Sequence, residues 1–206
     1  LKVITFNYDT SIEQYLFTAL KNAYGLNDVQ AMNELSKISI EHVYGRLTFG
    51  IHELCPDQLK YGVGGLDLIS YDADCIQVID KARGQDSSTL ERCFGALLGA
   101  ARVVFLGFGF DSVNVARLRI AGALRHRFAA QFEDSSNRAP EIHCTTVGKT
   151  AWERDQVHRL LFSGVQKLAE SKPELVGHYL DKTLADITQN SDCKSLKLLR
   201  STGALD

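Results

Sequence analysis

Short strand-like runs interleaved with helical periodicity constrain this chain more than any other feature. Residues 2–6, 38–44, 102–106 and 141–147 are rich in β-branched and aromatic side chains. Each ends in a turn signal: Asn7-Tyr8-Asp9, Tyr44-Gly45, Gly107-Phe108-Gly109-Phe110 and Val147-Gly148. Between them, apolar residues recur at helical spacing. Thr10 and Glu13 form a capping-box pattern ahead of Ile12, Leu16, Ala19, Leu20 and Ala23, and Gly25 closes that helix. Residues 28–37 read as a second helix. Ser88 and Glu91 open another over 88–101, with Leu90, Phe94, Leu97 and Leu98 as its apolar stripe. Residues 111–128 read as one helix, and residues 131–140 as a polar loop. A third box, Thr150 and Glu153, opens a helix with Val157, Leu160, Leu161, Val165 and Leu168 on one face. Gly50, Pro56, Gly62, Gly64 and Gly65 break up residues 46–71 into a long loop, with a helix expected over 72–83.

Strands that alternate with helices predict an α/β fold, a Rossmann-like parallel sheet with helices on both faces. The domain is expected over 1–171, with a helical extension over 172–206. In such sheets, ligands sit beyond the carboxyl ends of the strands, so the four turns are the places to look for chemistry.

Composition narrows the classes. A chain of 206 residues with 45% apolar and 23% charged residues is long enough to bury a core, and its composition is that of a soluble domain. A formal net charge of −2 offers no general attraction to nucleic acid or to an anionic membrane. No apolar run is long enough to span a bilayer, and the polar Asn7-Tyr8-Asp9 breaks any signal-peptide pattern. Cys55, Cys75, Cys93, Cys144 and Cys193 are odd in number and scattered, without a Cys-x-x-Cys pair. Reduced thiols in a cytoplasmic protein, and no metal site, are the expectation. Cys93 and Cys144 read as small core residues, and Trp152 and Tyr179 as packing residues.

Taken singly, each turn has an ordinary explanation. Asp9 or Thr10 can cap a helix while Asn7 completes a turn. His42 can be a packed, hydrogen-bonded histidine. Gly107 and Gly109 can serve a tight strand-to-helix turn, or let the backbone approach a sugar or phosphate. Arg117, Arg119, Arg125, His126 and Arg127 read as a solvated helix face, with an anionic partner as the alternative.

Taken together, Val3-Ile4-Thr5-Phe6-Asn7-Tyr8-Asp9, His42-Val43-Tyr44-Gly45 and Val104-Phe105-Leu106-Gly107-Phe108-Gly109-Phe110-Asp111 occur in an order that resembles three successive motifs of the sirtuin-like superfamily. The likeness spans roughly residues 2–161. It is closest to the bacterial branch that consumes nicotinamide adenine dinucleotide (NAD) in defence against phage. The resemblance implies that Asn7 lies beside the nicotinamide ribose and the attacking water, and that Asp9 reads the carboxamide. It implies that His42 serves as general base, and that Gly107, Phe108, Gly109 and Asn114 belong to the loop near the ribose and phosphates. Gly148 is placed near the adenosine half.

The expected chemistry is hydrolysis of NAD to ADP-ribose and nicotinamide, with a non-catalytic NAD or ADP-ribose sensor as the alternative. A general base is worth about 100- to 10,000-fold in rate, and histidine is suited to it near neutral pH. The four-cysteine zinc module of sirtuin deacylases has no counterpart in the cysteine spacing, which counts against deacylation. The family's glycine-rich phosphate loop is expected ahead of Leu1. A preceding segment, or a second copy in a homo-oligomer, would then complete the sheet. NAD is the expected ligand, with no nucleic-acid or membrane partner.

Overall fold

The structure, a computed structural model, describes residues 1–47, 87–133, 140–146 and 148–169. The chain divides into two compact units, Leu1–Cys93 and Phe94–Asp206. Both are mixed α/β.

In the first unit, β1 (Lys2–Thr5) leads through a turn into α1 (Ser11–Tyr24) and α2 (Asp28–Leu35), and the chain returns as β2 (Ser39–His42). The two strands are parallel, with Thr5 opposite His42. Two short helices thus supply the crossover that parallel pairing requires. Phe17, Ala31 and Leu35 are buried between them, packed by Leu16, Leu20, Leu26, Met32, Ile38 and Ile40. Burial of each large side chain contributes about 1.5–3 kcal/mol. Gly25 closes α1 at φ +62°, a left-handed conformation that suits glycine, and Leu26 N donates to Lys21 O at 3.2 Å. A capping box opens α2: Asn27 Oδ1 accepts from Gln30 N at 2.9 Å, and Gln30 Oε1 accepts from Asn27 N at 3.0 Å. Residues 87–93, the first part of α3 (Ser87–Gly99), also belong here. Arg92 Nε donates to both oxygens of Glu41 in β2, at 3.0 and 3.1 Å.

In the second unit, β3 (Arg102–Phe105) pairs in parallel with β4 (Glu141–Cys144), Phe105 lying opposite Cys144. Between them run α4 (Ser112–Arg117) and α5 (Ile120–Glu133), and α6 (Ala151–Ala169) follows. The packing of α5 on α6 builds the core. Ile120, Phe128, Leu161, Phe162 and Val165 are at most 1% exposed. Phe128 meets Phe162 edge to face with ring centres 6.3 Å apart, a geometry worth about 0.5–1.5 kcal/mol beyond its burial.

Among the described residues the strands form two parallel pairs. The expected boundaries shift where tertiary packing decides. Residues 111–128 form two helices, because Arg119 takes a left-handed φ of +53° between buried Leu118 and Ile120, its guanidinium 4.2 Å from the Phe94 ring centre. The second of these runs to Glu133, into the expected polar loop. The α3 helix begins one residue ahead of Ser88, whose hydroxyl accepts from Arg92 Nη1 at 3.1 Å. Thr10 makes no side-chain cap on α1, its backbone standing at φ −95°, ψ 24° rather than in the extended conformation of a capping residue, and the Glu13 side chain is turned inward. Trp152 is 70% exposed rather than packed. By contrast, the Thr150–Glu153 box is formed, and Cys93 and Cys144 are both 0% exposed. Residues 48–71 of the loop expected over 46–71, the helix expected over 72–83, Tyr179 and the extension over 172–206 lie outside the described residues. No helix among the described residues is long and apolar enough to cross a membrane.

Candidate functional site

The carboxyl ends of β1 and β2 are tied together by main-chain bonds that continue past the strands. Val43 N donates to Thr5 O at 2.9 Å, and Leu47 N donates to Tyr8 O at 2.8 Å. Thr5 Oγ1 accepts from Asn7 N at 3.1 Å, which turns the chain at the end of β1. Asn7 is exposed there, and so is Tyr8. Asp9 begins the helical entry, its Oδ1 accepting from Ser11 N at 3.0 Å. The Ser11 side chain and main chain together hold the Asp9 carboxyl below its usual range, with His42 adding to the effect.

His42 is nearly buried at the end of β2 and uses both ring nitrogens. Nδ1 lies 2.8 Å from the main-chain oxygen of Asn7, 35 positions away. Nε2 lies 2.8 Å from Glu13 Oε1, in the first turn of α1. The two side chains are 5% and 8% exposed. Arg46 Nη1 stands 3.6 Å from the same Glu13 oxygen. Burial by itself would raise the Glu13 carboxyl. The His42 hydrogen bond, the main-chain N–H of Glu13 itself and the charges of His42 and Arg46 together outweigh burial and bring it below its ordinary value. Glu13 Oε2 is buried without a hydrogen-bond partner among the described residues.

Asn7, Asp9 and His42 are therefore brought together within the first unit. Gly107, Phe108, Gly109, Asn114 and Gly148 belong to the second. There, Gly107 turns the chain out of β3 with φ +60°, a conformation glycine adopts without strain. Its N–H donates to Thr145 Oγ1 at 2.8 Å, so the loop is anchored on the residue after β4. Phe108 lies 5.6 Å from the Phe105 ring and 5.0 Å from that of Phe110. Phe110 is left-handed at φ +58°. Asp111 then caps α4, its Oδ1 accepting from Val113 N at 2.9 Å and from Asn114 N at 3.3 Å. The first N–H groups of that short helix are thus satisfied within the chain. Among the described residues, a Cβ at Gly107, Gly109 or Gly148 would meet no atom within 4 Å.

Glu13, Arg46 and Thr145 escaped the sequence reading. For Glu13 a signal existed. It stands four residues before Phe17, on the apolar face of α1, where a carboxylate needs a partner. Thr145 carried no such mark, because a threonine after a strand is unremarkable until its neighbour across the sheet is known. No family model, curated protein or solved structure matches the chain.

Proposed function

We propose that the chain is a sirtuin-like NAD hydrolase acting in the cytoplasm, in phage defence or a stress response. The observation that carries this reading is the contact between His42 and Asn7. The two residues that the motif resemblance assigns to the reacting end meet through a 2.8 Å bond at the ends of two parallel strands. Asp9 lies two residues beyond Asn7, with its carboxyl held ionised and suited to accept from the amide of nicotinamide. In the proposed reaction the bond between nicotinamide and ribose breaks, and its electron pair leaves with neutral nicotinamide. A water oxygen bonds to the ribose carbon, and the water's proton passes to His42. This requires Nδ1 to release to solvent the proton it donates to the Asn7 carbonyl and to turn its lone pair to the reacting hydroxyl or water. Gly107, Phe108, Gly109, Asn114 and Gly148 keep in this reading the NAD-binding roles that the motif resemblance implies, the fold is Rossmann-like, and no metal takes part. A homo-oligomer is part of the same proposal.

A sensor that binds NAD or ADP-ribose without turnover is the second reading. It is favoured by one specific observation, that both His42 nitrogens are engaged and the ring is buried. Activity is proposed for the full-length protein, with the segment expected ahead of Leu1 in place, and incubating that protein with NAD and measuring nicotinamide by chromatography decides between them. Hydrolysis predicts steady nicotinamide release that falls at least about 100-fold in His42→Ala and in Asn7→Ala. Wild-type turnover in either variant refutes the assigned roles. Calorimetric binding with no release of nicotinamide selects the sensor.

A further inference from the structure

The first turn of α1 carries a carboxylate into the protein interior, where it meets a histidine 29 positions further on. The hydrogen-bond accounting at His42 is unusually restrictive. The Asn7 main-chain oxygen can only accept, so Nδ1 must donate to it. Glu13 remains a carboxylate despite burial, so Nε2 must donate as well. A doubly protonated ring satisfies both contacts. The charged groups facing this ring are Asp9 from the turn after β1, Glu13 from α1 and, beyond Glu13, Arg46 from the segment after β2. Glu13 Oε2, meanwhile, is buried and finds no hydrogen-bond partner among the described residues. An orphaned buried oxygen is a cost that a merely structural carboxylate could avoid by lying at the surface.

We propose that Glu13 is the positioning residue for His42, holding Nε2–H so that Nδ1 is the nitrogen that exchanges protons at the carboxyl end of β1. When a hydroxyl or water displaces the Asn7 carbonyl, the ring gives its Nδ1 proton to solvent. The exposed lone pair then takes the proton of the incoming group, and Nε2–H stays on Glu13 throughout. Fixing one ring nitrogen by a carboxylate sets which nitrogen is free to react. The identity of the incoming group, a ribose hydroxyl or the attacking water, rests on the proposed NAD reading. The state of the ring does not.

Histidine-selective ¹⁵N labelling of the whole chain tests the ring directly. The chain has six histidines, and His42→Gln assigns the signal. Long-range proton–nitrogen correlation is expected to show a proton on each ring nitrogen, the Nε2 proton held by Glu13. A neutral ring protonated at Nδ1, or an unprotonated Nε2, overturns the proposal. This measurement on the wild-type chain stands whether or not NAD is cleaved, so failure of the functional reading is separately visible. Where nicotinamide release is measurable, Glu13→Leu is expected to lower kcat about 100-fold with KM unchanged. Glu13→Gln, whose amide oxygen can still accept Nε2–H, is expected to recover part of that loss. Equal kcat in Glu13→Leu and wild type refutes the positioning role.

Discussion

Alanine substitution at two helical glycines is expected to have opposite signs, and the difference measures how tightly α5 packs on α6. In a helix interior, replacing glycine by alanine is worth about 0.8–1 kcal/mol from propensity alone. At Gly95, in α3, a Cβ meets nothing within 4 Å among the described residues, so that gain should be realised. At Gly164, in α6, the new Cβ would lie 2.7 Å from the main-chain oxygen of Ala121 and 3.2 Å from Arg125 Cβ. The first neighbour is backbone and cannot swing aside, so the two helices must part until the contact reopens. Forcing extra volume into a packed contact costs about 1–3 kcal/mol, which exceeds or cancels the propensity gain. The two variants should therefore differ by about 2 kcal/mol. For a chain of this size, each kcal/mol moves Tm by roughly 2–4 °C, so their melting points should separate by roughly 4–8 °C. Circular dichroism melts of Gly95→Ala, Gly164→Ala and wild type, at matched concentration, read the effect. A Gly164→Ala chain melting as high as Gly95→Ala would show that the helices are not in that contact, and the packing argument would fail.

Two further outcomes follow from the first unit. Asn27→Ala removes the capping box on α2 and should cost about 1 kcal/mol, measured by urea unfolding; an unchanged midpoint would contradict the cap. The Glu13 carboxyl sits below its ordinary value of 4.5: burial, the largest influence, would raise it, and the His42 bond, the main-chain N–H of Glu13 itself and the His42 and Arg46 charges together overcome that. Its contribution to stability is therefore present above about pH 4.5 and is lost as pH falls through the lower folded value. Urea midpoints taken across that window should fall on acidification in wild type, and less steeply in Glu13→Gln. Identical slopes would remove Glu13 from the acid response.

What was legible in the sequence depended on local decisions. The four strands show in the sequence because a run such as Arg102-Val103-Val104-Phe105-Leu106, ending at Gly107, has few other uses. The Thr150–Glu153 box is legible because both partners lie within one turn. The break at Arg119 was not, since Leu118-Arg119-Ile120 contains neither glycine nor proline. That residue's left-handed backbone accompanies the burial of Leu118 and Ile120 on either side and the seat of its guanidinium over Phe94, none of which is local. Trp152 misleads for the opposite reason. Its size suggests burial, yet α6 turns Val157, Leu161 and Val165 inward, and that face leaves Trp152 in solvent. At the candidate site, the residue types Asn7, Asp9 and His42 were visible, but the bonds joining them depend on the parallel register of β1 and β2.

Glu13 shows how a broken local rule can point to a site. The spacing Thr10-Ser11-Ile12-Glu13 is that of a capping box, and the same chain forms such boxes at Asn27–Gln30 and Thr150–Glu153. At α1 the box is absent: Thr10 makes no capping bond, and the helix entry is held by Asp9 instead. The alternative placement of Glu13 costs twice over. It forgoes the return bond of a capping box, and among the described residues it leaves Oε2 buried without a hydrogen bond, at about 1–3 kcal/mol. Against these stand the His42 bond, which is charge-assisted and short, and the approach of Arg46. Those gains and costs are of similar size, so folding stability alone gives little reason to prefer the inward rotamer. What the inward rotamer does uniquely is fix an imidazole at the end of β2, against the chain turn that follows β1. Where stability is indifferent and geometry is tightly specified, the geometry is the better guide to what the arrangement is for.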